Sequence, residues 1–96
     1  MSFDQLRYFV AVAEERHITR AAARLRISQP PLTRQIRSLE DELGGPLFER
    51  TARGMRLLPA GETLLVYATK ILETVAQASH EVRAETQHAS TVPPRS

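Results

Sequence analysis

The chain has 96 residues, 13 Lys+Arg against 11 Asp+Glu, 42% hydrophobic residues and no Cys. That length suits one domain around one small core, and the composition is that of a soluble globular chain. Zero Cys removes disulfide frameworks, thiolate metal sites and thiol nucleophiles; Met1-Ser2-Phe3-Asp4 is unlike a secretory leader and no apolar run reaches spanning length, so a cytoplasmic location with no membrane partner is expected.

Helical periodicity opens the chain. Phe3, Leu6, Val10 and Ala13 recur at spacings of three and four, and Phe9 and Val12 widen the stripe, which predicts an amphipathic helix over 3–16. Thr19 is placed to cap a second, shorter helix running through Ala21-Ala22-Ala23 to Leu25. Ile27-Ser28-Gln29-Pro30-Pro31 interrupts it. Ser28 is the expected cap of a third helix, because proline is tolerated in a first turn, where the backbone N–H has no intrahelical acceptor. Leu32, Ile36, Leu39 and Leu43 mark the buried face of that helix. At about 100° per residue, Pro30, Arg34, Arg37 and Asp41 fall on the opposite face, with Thr33 and Ser38 flanking. Gly44-Gly45-Pro46 ends the helix.

Two short β-like segments follow, 47–50 and 55–58, around a hairpin loop Thr51-Ala52-Arg53-Gly54. Pro59-Ala60-Gly61 opens the longest helix, to about Gln87. Its Leu65, Ala68, Leu72, Val75, Ser79 and Val82 alternate by three and four, beside a second stripe of Leu64, Ile71 and Ala78. Two stripes imply two clients, the helix's own domain near its start and a partner helix further along. Residues 91–96, with Pro93-Pro94, read as linker or frayed tail.

Charge is unevenly spread. Six arginines (16, 20, 24, 26, 34, 37) occur without an acid between them, and Arg50, Arg53 and Arg56 form a second such cluster. Arg is the side chain suited to bidentate contact with phosphate and guanine. Three helices and a hairpin describe a winged helix-turn-helix, mainly α, with an arginine-bearing face opposite the core on its third helix. Gln29, Thr33 and Arg34 suit base edges in a major groove, Arg37 suits base or phosphate, and Arg53 at a hairpin tip suits a narrow minor groove.

Leu6-Arg7-Tyr8-Phe9, the stretch from Ile18 to Pro30, Leu39-Glu40-Asp41-Glu42-Leu43-Gly44 and Leu47-Phe48-Glu49-Arg50 closely resemble the N-terminal DNA-binding domain of LysR-type transcriptional regulators, in order and without gaps over 1–87. The resemblance implies a winged helix-turn-helix over 1–58, with the helix-turn-helix at 18–37 and the wing at 47–58. It further implies a linker and dimerisation helix over 59–88 and a hinge or disordered tail over 89–96. Gln29, Pro30, Thr33 and Arg34 match the family's major-groove contacts, and Arg53 matches its wing arginine. Pro31 stands where many members have Ala or Ser, and the Pro-Pro pair resembles the subgroup regulating aromatic-compound breakdown. Leu58 stands where a Thr commonly caps the linker helix, so a loose helix start is expected. The family's effector-binding domain lies outside these 96 residues.

Other readings of single residues are blander. Arg50 beside Glu49 is equally readable as a structural ion pair. His17, His80 and His88 are too distant in sequence for a local metal motif. Ser28 reads as a helix cap, and Glu40 and Glu42 as solvated helix charges. The whole then reads as a sequence-specific DNA-binding regulator domain. The site residues are Gln29, Pro30, Pro31, Thr33, Arg34, Arg37, Arg50 and Arg53, with dimerisation through Leu65, Ala68, Leu72, Val75, Ser79 and Val82. The partners are double-stranded DNA and a second copy, the resemblance implies full-length tetramers, and no cofactor is needed. A protein-binding winged helix would instead carry apolar residues at Arg34 and Arg37. An enzyme would need a nucleophile, clustered His or a phosphate-binding loop.

Overall fold

The structure, a computed structural model, describes residues 1–91 and the side chains of 1–88. Helix α1 (Phe3–Glu15) starts where two residues satisfy each other's exposed amides. The Gln5 N–H donates to Ser2 Oγ (3.0 Å) and the Ser2 N–H donates to Gln5 Oε1 (3.1 Å). The helix stops at Arg16, which takes the left-handed conformation (φ 61°) and donates its N–H to the Val12 carbonyl. That turn reverses the chain within one further extended residue. Helix α2 (Ile18–Leu25) therefore begins after His17, and Thr19 lies inside its first turn instead of capping it. Ala21 and Ala22 are buried, and their small side chains let α2 pack closely on α1 and α3.

Helix α3 (Gln29–Leu43) begins after Ser28, as the cap position requires, but the Ser28 hydroxyl makes no capping bond. The reason is in the sequence. A capping oxygen accepts from the second or third helical N–H, and those positions are Pro30 and Pro31, which have none. Leu32, Ile36 and Leu39 are buried as the period demands, whereas Leu43, expected with them, is 44% exposed. The helix ends directly after it, at left-handed Gly44.

Strands β1 (Phe48–Thr51) and β2 (Gly54–Leu57) pair antiparallel, each shifted by one residue from expectation, with Thr51 opposite Gly54 across a turn of Ala52 and Arg53. The Thr51 hydroxyl holds that turn by accepting from the Arg53 N–H (3.2 Å) and donating to the Gly54 carbonyl (3.0 Å). Gly54 has φ 122°, and a Cβ there would lie 2.2 Å from the Arg16 carbonyl oxygen. The wing is thus seated on the α1–α2 turn, where the Met55 N–H donates to that carbonyl (2.8 Å).

Helix α4 (Pro59–Thr91) runs on through 89–91, where a hinge is expected, and residues 92–96 of the expected tail lie outside the described residues. Its start is well made despite Leu58. The Leu58 N–H donates to the Leu47 carbonyl (2.9 Å) and the Leu58 carbonyl accepts the Glu62 N–H (2.9 Å). Phe9, Val12, Leu32 and Leu39 form the fully buried centre, and the Phe9 and Phe48 rings lie 5.3 Å apart. The core extends past residue 58. Ala68 is completely buried in it and has no surface to offer a partner, and Leu65 and Leu72 are partly buried against it. The apolar side chains of α4 that stay exposed include Tyr67, Ile71, Val75 and Val82, and Ser79 is exposed with them.

Candidate nucleic-acid interface

Two elements build the charged face. Helix α3 supplies its outer side: Gln29, Pro30, Arg34, Arg37 and Ser38 are exposed, and Pro31 and Thr33 half-buried. The paired prolines rigidify the first turn and remove two of its amide donors, so side chains dominate what meets an approaching partner there. The wing supplies Arg50 and Arg53, both exposed. Strand alternation turns Phe48 inward, and Arg50 shares a shallow cleft between α3 and the wing with Thr33 and Arg37. Arg53 sits at the tip, in the two-residue turn.

Tertiary structure sorts the arginines that the sequence leaves together. Arg24 is neutralised by Glu14 (2.8 Å) and Glu15 (3.2 Å) of α1. Its guanidinium is held above its ordinary value chiefly by the Glu14 hydrogen bond. Arg56 pairs with Glu49 directly across the hairpin, so Glu49 turns to Arg56 and leaves Arg50 without it. Arg34, Arg37, Arg50 and Arg53 have no ion-pair partner among the described residues. Arg37 and Arg50 line the cleft, with Arg34 further out on α3 and Arg53 at the wing tip. Four guanidinium groups without an ion-pair partner among the described residues, on two adjacent elements, make a surface for a polyanion.

Three polar contacts that the sequence does not reveal hold this face in place. Glu40, expected as a solvated charge, is half-buried and accepts the N–H groups of Leu47 (2.7 Å) and Phe48 (3.4 Å). On the other flank of α3, Gln5 Nε2 donates to Gln35 Oε1 (3.0 Å), and Glu42 pairs with the N-terminal ammonium. A helical wheel gives Glu40 a flank position but no hint of which amides turn toward it. Among the described residues no group of His, Asp or Glu could hold a metal ion, and no helix is long and apolar enough to cross a membrane.

Comparison with known proteins bears on the same elements. The family described as "Bacterial regulatory helix-turn-helix protein, lysR family" matches residues 3–62. The chain is 60% identical over 73 residues to the HTH-type transcriptional regulator TfdS of Cupriavidus pinatubonensis (strain JMP 134 / LMG 1197), covering 76% of this chain and 25% of that protein. It thus spans about a quarter of the length of TfdS and of the similar regulators TdfR and ClcR. A crystal structure of the CbnR DBD–DNA complex superposes with TM-score 0.82 at 46% identity, covering 90% of this chain and 99% of that one. The BenM DBD in complex with catB site 1 DNA superposes with TM-score 0.81 at 43% identity, covering 96% and 99%.

Proposed function

The chain belongs to the lysR family of bacterial regulatory helix-turn-helix proteins, and from that we propose that it is the sequence-specific DNA-binding unit of a transcriptional regulator. Helix α3 enters the major groove, where Gln29, Pro30, Pro31, Thr33 and Arg34 meet base edges and Arg37 meets base or phosphate. Arg50 grips phosphate between the grooves, and Arg53 enters the adjoining minor groove. The observation that carries this reading is the set of four unpaired arginines shared by α3 and the wing. The solved DNA complexes of two similar domains support it.

A second copy completes the unit. Tyr67, Ile71, Val75 and Val82 leave an apolar stripe on α4 that water covers poorly, and pairing two such helices places two recognition helices on a dyad-symmetric operator. The reading needs no cofactor for DNA binding and gives the chain no catalytic step. Small-molecule control belongs to an effector domain outside these residues, and the Pro30-Pro31 pair favours aromatic-compound breakdown as the regulated process. A chromosomal partner in a bacterium sets the protein in the cytoplasm.

Selection of duplexes from a random pool, followed by titration of selected and random DNA at several salt concentrations, tests this. The expected result is enrichment of a dyad-symmetric sequence, bound with a steep salt dependence. Equal affinity for selected and random duplexes would overturn it.

A further inference from the structure

One side chain joins the recognition helix to the wing. Glu40 stands on the same flank of α3 as Thr33, and its Oε2 accepts from two consecutive amides, Leu47 at 2.7 Å and Phe48 at 3.4 Å, where the chain enters β1. Among the described residues no other hydrogen bond links α3 to the wing. Leu47 is itself a junction. Its side chain is buried, its carbonyl accepts from Leu58, and a Cβ on Gly61 would lie 2.3 Å from that carbonyl oxygen. Whatever fixes Leu47 therefore fixes the base of the wing.

We propose that Glu40 is a positioning residue for DNA recognition, setting the distance and angle between α3 and the wing so that both grooves are engaged in phase. This rests on the DNA-binding reading above. A carboxylate is an acceptor only, and bonds from neutral amides to an ionised oxygen are among the stronger protein hydrogen bonds. The separation of adjacent grooves is a property of the duplex. A wing that can rock against α3 must be ordered at the moment of binding, and that cost falls on the minor-groove contact.

The test uses the 96-residue chain and duplexes sharing the sequence it selects from a random pool, flanked by A·T-rich or G·C-rich DNA, titrated at fixed salt. E40Q removes the charge but keeps an acceptor oxygen, so it should retain the wild-type flank ratio within about twofold. E40A should reduce that ratio by about tenfold, the scale of one hydrogen bond lost, while its preference for the selected core persists. In an R53A background E40A should cost nothing more, because the wing then has no reading group to misplace.

A flank ratio unchanged in E40A overturns the proposal, as does E40Q behaving like E40A, which marks a charge effect alone. Additive losses in the double variant also overturn it. If E40A fails to fold, E40D takes its place, since it draws the carboxylate back by one methylene, and an unchanged flank ratio in E40D refutes positioning. Wild type that reads the core but ignores the flanks sinks this proposal and spares the DNA-binding reading. Wild type that enriches no sequence sinks both.

Discussion

Helices α3 and α4 each bury one face in the same core and leave the other without a partner among the described residues, yet the uncovered faces are chemical opposites. On α3, Leu32, Ile36 and Leu39 face inward and Arg34 and Arg37 stand outside with no acid paired to them among the described residues. On α4, Ala68 faces inward while Tyr67, Ile71, Val75 and Val82 are left outside. Inward faces are alike because any core takes apolar side chains. The outward faces differ in what suits them: guanidinium groups suit phosphate and base edges, and apolar side chains suit a protein surface that excludes water. Periodicity thus locates a core, and the composition of what remains points to the partner.

The largest effect should come from treating the two sides of α4 alike. A68D buries a charge with no partner and should cost about 3–5 kcal/mol, much of the stability of a small domain. Thermal melting followed by circular dichroism should show the cooperative transition lost or greatly lowered. A wild-type melt would mean that α4 is not seated in the core. The paired substitution I71D/V75D acts on the exposed side and should keep a cooperative melt, lowered only by the stabilisation that pairing supplies and no longer dependent on protein concentration. It should nevertheless give monomers in sedimentation, because two facing helices would bury four unpaired carboxylates. Persistent dimers would remove α4's exposed stripe as the pairing surface. Leu72 is the poorer choice for this test, being packed against the chain's own core.

That distinction shows how far the sequence can be read. The stripes through Leu6, Phe9 and Val10 and through Leu32, Ile36 and Leu39 emerge as cores, since apolar residues repeating every three and four positions along a helix must bury that face against something. The same repeat through Leu65, Ala68 and Leu72 suggests a partner helix but serves the chain's own core, because periodicity names a face and not its client. Glycine before a breaker marks the end of α3, but nothing marks Arg16 as a left-handed stop, so a cap placed at Thr19 starts α2 too late. The cationic face is legible as a run of arginines without nearby acids. Arg24 and Arg56 leave that set only through Glu14, Glu15 and Glu49, whose approach depends on tertiary packing and strand register. The role of Glu40 is hidden for the same reason.

On the α3 side the expected effects are smaller and fall on discrimination more than on fold. Arg34 is exposed and has no ion-pair partner among the described residues, so R34A should leave the melt unchanged. If its fork holds a guanine, the preference for operator over random DNA should fall by about 1–3 kcal/mol. Titration of both duplexes at one salt concentration separates reading from grip. An equal fall on both makes Arg34 a phosphate contact and weakens the contrast between a reading face and a merely cationic one.

The smallest effect is expected at the wing tip, where charge is kept and only its shape is altered. Arg53 lies in the two-residue turn, exposed, with its backbone N–H already donated to Thr51 Oγ1, so R53K should not disturb the hairpin. Lysine preserves the cation that salt-dependent attraction requires but is more strongly hydrated and lacks the planar fork. The minor groove offers a degenerate pattern of acceptors, and its narrow A·T tracts concentrate negative potential, so desolvation and fit should matter there more than charge count. R53K should therefore weaken binding by about 1 kcal/mol or less on A·T-rich flanks and leave G·C-rich flanks near wild type. Competition between the two flanked duplexes in one tube, at one ionic strength, measures the difference directly. Equal weakening on both flanks would make Arg53 an undirected cation. The reading face would then end at α3, and the wing would serve only to hold phosphate.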